Sequence, residues 1–361
     1  MKILAIETSC DETAMAIIEA KGGIKNPHFK ILKNLVSSQI KIHAPFGGVV
    51  PNLAKREHLK NLPILFKKII LSRLNLDRID NLDRIDLIAV TVGPGLEPAL
   101  WTGVNFAKDL AKKNNKPLIG VNHLEGHMYS FLLKQKTIHP KSPIPNPKNI
   151  FPAISLIVSG GHTILVLMKD LMHWKKIGET RDDAAGEAYD KVSKMLGMPY
   201  PGGPILEKLA RGGKDDKIEF PRPMIHQKNY DFSFSGLKTS VFYYIKNLTK
   251  QNLTKLSFVR LKSDIAASFE KAVIDVLVSK TKKAVKAYEA KSVMLSGGVA
   301  ANKKLRKNLN ALAGSFKIPF FVAPQKFNTD NAVMIAVAAY FKNTHSTGSG
   351  HKIEAQANLN L

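Results

Sequence analysis

An apolar strand, a short polar turn and a returning apolar strand occur twice in this chain, and that recurrence constrains its fold more than any other feature. In the first copy Lys2-Ile3-Leu4-Ala5-Ile6-Glu7 runs into Thr8-Ser9-Cys10-Asp11-Glu12-Thr13 and returns through Ala14-Met15-Ala16-Ile17-Ile18. In the second, Ile154 to Val158 meets Ser159-Gly160-Gly161-His162 and returns through Thr163 to Met168. Short apolar runs bounded by turn residues read as buried strands. Each hairpin is followed later by another strand that ends in glycine and leads towards a helix. In the first half these are Leu87 to Val92, Gly93-Pro94-Gly95 and Ala99 to Lys112; in the second half, Ser292 to Leu295, Ser296-Gly297-Gly298 and Ala300 to Ala311. The repetition predicts a duplicated α/β architecture, two lobes with a central cleft, the place where such folds take their ligands.

A chain of 361 residues agrees with two domains at about 150 residues each. The boundary is expected in the proline-rich stretch 134–150, with Pro140, Pro143, Pro145 and Pro147. We therefore expect a first lobe over 1–150 and a second over 151–343, its last helix free to pack back on the first lobe, followed by a loose tail over 344–361. Leu53 to Leu74 carries apolar residues at helical spacing, Pro319 to Ala323 reads as a last strand, and Asp330 opens an apolar helix. Between Leu74 and Leu87 the hexapeptide Asn-Leu-Asp-Arg-Ile-Asp occurs twice in tandem, too short a repeat for a solenoid and read here as a surface duplication.

Lys and Arg number 54 against 29 Asp and Glu, a net charge of +25. Runs such as Lys303-Lys304-Leu305-Arg306-Lys307 lie within the folded part, which points to a polyanionic partner. Solvated basic faces are the plainer alternative. The single cysteine, Cys10, excludes an internal disulfide and an all-cysteine zinc site. Glu7 interrupts the apolar stretch near the start, so no signal-peptide core is expected. The longest apolar run, Ala332 to Phe341, is far short of the ~20 residues of a bilayer span. A cytoplasmic protein with no membrane association is the expectation.

His123-Leu124-Glu125-Gly126-His127 places two imidazoles at i and i+4, on one face of a helix, within reach of a single ion. A metalloprotease needs glutamate directly after the first histidine or directly before the second; Leu124 and Gly126 stand there instead. The third ligand must come from elsewhere, and Asp330 is the natural candidate. Two histidines and one carboxylate leave coordination positions open and suit one divalent metal, Fe(II) or Zn(II), acting as a Lewis acid. The turns at 8–13, 159–163 and 296–298 suit close approach of backbone N–H groups to an anion. No Walker-type phosphate loop occurs. Asp182 to Lys191 gathers four carboxylates, as an acidic helix start does. Phe232 and Phe234 suit either base stacking or core packing.

Taken together the motifs resemble the tRNA N6-adenosine threonylcarbamoyltransferase family. They are Ile6 to Thr13, Gly47 to Pro51, Gly93 to Leu96, Asn122 to His127, Val158 to Thr163, Asp182 to Lys191, Tyr200 to Pro204, Phe232 to Lys238, Ser296 to Asn302 and Thr329 to Asn331, in that order. Asn52, where the family usually has glutamate, and Glu97-Pro98 depart from the pattern outside the metal and nucleotide motifs. The resemblance implies two RNase H-like lobes of the actin, heat-shock-chaperone and sugar-kinase type. It implies transfer of a threonylcarbamoyl group from threonylcarbamoyl-AMP to N6 of the adenosine beside the anticodon, in tRNAs that read codons beginning with A. By position, His123, His127 and Asp330 would hold the metal, iron before zinc. Ile157, Val158, Ser159, Gly160, Gly161, Asp190, Gly203 and Asn302 would bind the adenylate. Asp11 or Glu12 would position or deprotonate the attacking amine. The implied partners are tRNA, a non-catalytic paralogue and a small ATPase. An ATP-hydrolysing enzyme of the same fold and a basic RNA-binding scaffold are the competing readings.

Overall fold

β1 (Lys2–Glu7) and β2 (Glu12–Lys21) form the first hairpin, in register from Lys2 opposite Glu19 to Glu7 opposite Ala14. The computed structural model describes residues 1–71, 82–133, 149–248, 255–345 and 353–361. The chain continues through β3 (His28–Ser38), α1 (Ile40–His43), α2 (Pro51–Leu71), β4 (Leu87–Gly93), α3 (Glu97–Lys113), β5 (Leu118–Asn122) and α4 (His123–Tyr129). The sheet order is β3-β2-β1-β4-β5, with β1, β4 and β5 parallel and β2 and β3 antiparallel. β4 is buried along its whole length, as a parallel strand covered on both faces must be.

The second unit repeats this plan. Its elements are β6 (Ala153–Val158), β7 (Thr163–Met168), β8 (Trp174–Glu179), α5 (Ala185–Met195), α6 (Gly202–Ala210), α7 (Ser235–Leu248), α8 (Lys255–Ala287), β9 (Ser292–Ser296), α9 (Lys303–Ser315) and β10 (Phe320–Val322). Read from the edge, the order β8-β7-β6-β9-β10 matches the first sheet strand for strand, with the same alternation of antiparallel and parallel pairs. The duplication inferred from two hairpins therefore extends to the whole sheet topology. α8 supplies much of this unit's core through Ile265, Phe269, Val273, Val276 and Leu277.

The division of the chain differs from a cut at 150. The first unit comprises Met1–Pro147 together with Thr329–Leu361, and the second is Lys148–Asn328. The reason lies in α10 (Ala332–His345), whose residues 332–341 are all buried. It packs on β1, β2, β5 and α4 of the first unit. The Tyr340 hydroxyl accepts from the Gly23 amide at 2.8 Å, and Lys342 Nζ donates to the Gly120 carbonyl at 2.9 Å. Nor are residues 353–361, expected as part of a loose tail, left unattached. The Gln356 amide donates to the Val92 carbonyl at 2.7 Å, and Asn122 Nδ2 donates to the Asn360 carbonyl at 2.9 Å. Residues 75–81 of the tandem hexapeptide and 134–148 of the proline-rich stretch lie outside the described residues.

Candidate functional site

α4 begins where β5 ends. Asn122 caps it, its Oδ1 accepting from the Leu124 amide at 2.8 Å, so His123 is the first helical residue and His127 lies one turn on. Opposite them, Asn331 Oδ1 accepts from the Met334 amide at 3.1 Å and starts α10, which fixes Asp330 just before the helix. Gly126 permits the approach. A Cβ there would lie 3.0 Å from both Ile335 Cδ1 and Met334 Cγ, so the small residue between the histidines lets α4 lie close on α10.

Asp330 Oδ1 lies 3.1 Å from His127 Nε2 and 3.4 Å from His123 Nε2. One donor atom from each of the three residues falls within 4.8 Å of the others. The two imidazoles are buried, and their rings meet edge to face at 4.7 Å. Two imidazole nitrogens from one helix and one carboxylate oxygen, gathered this closely, fit a divalent metal. Behind them stands Glu7, buried at the end of β1. Its Oε2 lies 3.0 Å from His123 Nδ1 and accepts from Thr91 Oγ1 at 2.7 Å, while Oε1 accepts from the Ser9 amide at 2.5 Å. Burial alone would lower the His123 pKa, but the Asp330 and Glu7 carboxylates outweigh it and raise it to about 9. Burial would raise Glu7, yet His123 and the hydrogen bonds hold it below the usual carboxylate range. His127 goes the other way, pushed down chiefly by burial.

The turn after β1 is clamped from three elements. The Leu96 amide donates to the Ser9 carbonyl at 2.8 Å, His58 Nε2 lies 2.9 Å from the Cys10 carbonyl, and the Gln39 amide donates to the Asp11 carbonyl at 2.9 Å. This turn presents Asp11 and Glu12. Burial, then the neighbouring Asp330 and Asp11, push Glu12 well above the usual range.

The residues expected to bind an adenylate all lie in the second unit. Ile157 and Val158 end β6, and the Ser159 amide donates to the His162 carbonyl at 2.8 Å to close the turn. α5 abuts that turn: the Ala185 amide donates to Thr163 Oγ1 at 2.9 Å and the Gly186 amide to the Ser159 carbonyl at 3.2 Å. Asp190 and Gly203 meet directly, Asp190 Oδ1 accepting from the amides of Gly202 at 2.7 Å and Gly203 at 3.2 Å. Asn302 caps α9, with Oδ1 accepting from the Leu305 amide at 2.8 Å and Nδ2 donating to Glu270 Oε1 at 2.7 Å. The glycines differ in kind. A Cβ at Gly160, Gly161, Gly203 or Gly298 would meet nothing within 4 Å, whereas one at Gly186 or Gly297 would collide with the backbone of Ser159 or Val158.

Two other readings resolve into structure. Asp182 accepts from the Phe234 amide at 2.8 Å and the Ser235 amide at 3.2 Å, so it caps α7, and Asp183 pairs with Lys191 and Lys238. Phe232 and Phe234 are fully buried and stack on each other, which makes them core residues. Glu7 and Glu270 are partners of the site residues that the motifs do not reveal; the signal for Glu7 is a charged residue closing an otherwise apolar strand.

The family model TsaD, tRNA N6-adenosine threonylcarbamoyltransferase, matches residues 30–337. The tRNA N6-adenosine threonylcarbamoyltransferase of Thermosipho africanus is 46% identical over 361 residues, covering 100% of both chains. The protein of the same name from Staphylococcus haemolyticus is 45% identical over 359 residues, covering 99% of this chain and 96% of the relative. Among solved structures, full-length HypF in a phosphate- and nucleotide-bound form aligns with a TM-score of 0.55 at 13% identity, over 96% of this chain and 47% of that one. HypF of T. kodakarensis aligns equally well, 0.55 at 15% identity, over 95% and 48%. At such identities these two bear on the fold alone, which is the two-lobed actin, chaperone and sugar-kinase type expected from the motifs.

Proposed function

Because this chain belongs to the tRNA N6-adenosine threonylcarbamoyltransferase family, we propose that it transfers the threonylcarbamoyl group of threonylcarbamoyl-AMP to N6 of the adenosine beside the anticodon. The product is t6A, in tRNAs that read codons beginning with A. The observation that carries this reading is the gathering of His123, His127 and Asp330 donor atoms within 4.8 Å, a cluster for which an ATP-hydrolysing enzyme of the same fold has no use. These three residues would hold one divalent metal, Fe(II) first and Zn(II) second. Bound there, the metal supplies Lewis acidity for the carbamoyl carbonyl.

The remaining work falls to the chain's own groups. Ser159, the amides of Gly160 and Gly161, and the Asp190–Gly203 contact hold the adenylate, with Ile157, Val158 and Asn302 beside them. Backbone N–H groups there stabilise the charge that AMP acquires as it leaves. The new bond joins N6 to the carbamoyl carbon. The bond that breaks joins that carbon to the phosphate oxygen, AMP departs with the electron pair, and the N6 proton is lost. Asp11 or Glu12 positions the amine or takes that proton. An aromatic amine is a weak nucleophile, so orientation contributes heavily to the rate. As in bacterial-style members of the family, a non-catalytic paralogue and a small ATPase are the partners we assign, in the cytoplasm. Among the described residues no helix is long and apolar enough to cross a membrane.

The test follows labelled threonine or bicarbonate into tRNA, with the adenylate-forming enzyme and the partner proteins added. Label in the target adenosine is expected with the wild-type chain, and its loss with His123→Ala and Asp330→Ala. Background label with all components present would overturn the reading. Asp11→Asn and Glu12→Gln should each slow transfer by about 10²–10⁴-fold if the residue moves the proton; full rates in both would remove them from that role.

A further inference from the structure

We propose that Glu7 is the positioning residue of the metal centre: its carboxylate takes the Nδ1 proton of His123 as a hydrogen bond, fixing the tautomer and ring angle that turn Nε2 towards Asp330. This inference rests on the metal reading above and adds a residue from a different element, 116 positions away in sequence.

Glu7 is 0% exposed, at the end of a strand that is otherwise apolar. Leaving a carboxylate in such a place is costly unless donors surround it. Three do: the Ser9 amide at 2.5 Å, Thr91 Oγ1 at 2.7 Å and His123 Nδ1 at 3.0 Å. The first two would suffice to seat a structural carboxylate. The third is specific, because an ionised carboxylate only accepts, so a proton must sit on Nδ1, and Nε2 is left as the nitrogen whose proton a metal would displace. That nitrogen is the one facing Asp330, at 3.4 Å. Ser9 Oγ lies 3.1 Å from the same Nδ1. A carboxylate behind a ligating imidazole raises its basicity and removes its rotational freedom. The arrangement is one-sided. His127 Nδ1 is buried with no hydrogen-bond partner among the described residues, so of the two imidazoles only His123 has a carboxylate at its Nδ1.

Zn(II), which is diamagnetic, serves as the probe on the full chain. Its affinity is measured by competition with a chromogenic chelator for wild type, Glu7→Gln and Glu7→Asp, and the His123 tautomer is read by ¹⁵N–¹H correlation of the imidazole in the loaded protein. Glu7→Gln keeps the size and loses the charge; Glu7→Asp keeps the charge and withdraws it by one methylene. Each is expected to weaken Zn(II) binding by about 10–100-fold and to abolish the uniform Nδ1–H signal of His123. Ile69→Ala, a core truncation on α2, is the control for mere destabilisation and should lower the melting temperature while leaving the tautomer signal unchanged. Wild-type affinity and an unchanged tautomer in both Glu7 variants would overturn the role of Glu7 and leave the metal centre standing. Failure of the wild-type chain to bind Zn(II) or Fe(II) at all would overturn both.

Discussion

Glycines in the second unit's turns serve two different masters, and substitution should separate them. Gly297 has φ of +87° and ψ of 168°, and a Cβ there would lie 2.3 Å from the Val158 carbonyl oxygen. Backbone of that kind is nearly confined to glycine, so Gly297→Ala should cost about 1–3 kcal/mol in chemical denaturation. Gly203, with open space around its Cα, should tolerate alanine within about 0.5 kcal/mol. Its methyl group would instead stand where the adenylate is proposed to lie, weakening that ligand at least ~10-fold, or ~1.4 kcal/mol. A stability loss in Gly203→Ala equal to that of Gly297→Ala would make it a structural glycine. His58 carries a different prediction. It is fully buried, with Thr13 Oγ1 at 2.8 Å and Gln39 Nε2 at 3.3 Å on Nδ1 and the Cys10 carbonyl on Nε2, and burial above all lowers its pKa. The unfolded chain keeps the ordinary value near 6.5 and so binds the proton first. Stability is therefore full above that value and falls as pH drops through the lowered one. The melting temperature should decline from pH 7 to pH 5, and less steeply in His58→Gln. At this scale the sequence was informative where partners are local: His123 and His127 are legible at i, i+4. Glu7, Thr91 and His58 were not, because the groups that give them meaning lie some 20 to 120 residues away.

Helix ends and close contacts decide how the elements carry the site. α7 is capped from outside its own sequence: Asp182 accepts from the amides of Phe234 and Ser235, and from the Ser233 hydroxyl at 2.5 Å and the Ser235 hydroxyl at 2.7 Å. Asp182→Ala should therefore cost about 1–2 kcal/mol, the range for a lost cap, and more than alanine at an exposed acid such as Glu219. Equal, small effects at both positions would show that the cap contributes nothing. The α4–α10 contact makes the other prediction. At Gly126 a branched side chain would press on Ile335 and Met334, so Gly126→Val should destabilise the first unit by about 1–3 kcal/mol. It should also move the histidines from Asp330, seen as weaker Zn(II) binding. Metal affinity unchanged in that variant would mean that the helix spacing does not set the site. The apolar hairpins and the glycine-ended strands were readable because burial on both faces leaves continuous apolar runs. β3 and β8 were not, since Lys30, Lys33, Lys175 and Lys176 interrupt their apolar residues and β3 pairs with β2 across a bulge at Ile17 and Ile18. α8 escaped for a related reason: its lysines recur along all 33 residues and blur the apolar stripe.

For the molecule as a whole, two matching sheets make the duplication complete, while the path of the chain breaks the symmetry. Asp330 and α10 come late in sequence yet complete the first unit, so the proposed metal ligands all belong to one unit. No local pattern announces that return; only the wholly apolar surface of 332–341 hints that two faces need covering. The net charge of +25 is the remaining property of this scale. Several basic residues are already engaged within the fold, among them Lys191 with Asp183 and Glu187, Lys304 with Asp215, and Arg222 with Asp275. The acids they meet are too few to balance the surplus, and a surplus held on folded units is what an RNA backbone would meet. If the surplus contacts tRNA, each neutralised phosphate releases counterions, and the logarithm of the affinity falls linearly with the logarithm of salt concentration. Six such contacts would give a slope of about −4 to −5.5, a loss of roughly 300- to 2,000-fold between 50 and 200 mM salt. Fluorescence anisotropy of labelled tRNA across that range measures the slope directly. A slope near zero with binding intact would assign the charge to solvation and recognition to hydrogen bonds and shape, whereas a steep slope would make the basic surface the source of affinity and leave the choice of adenosine to the site.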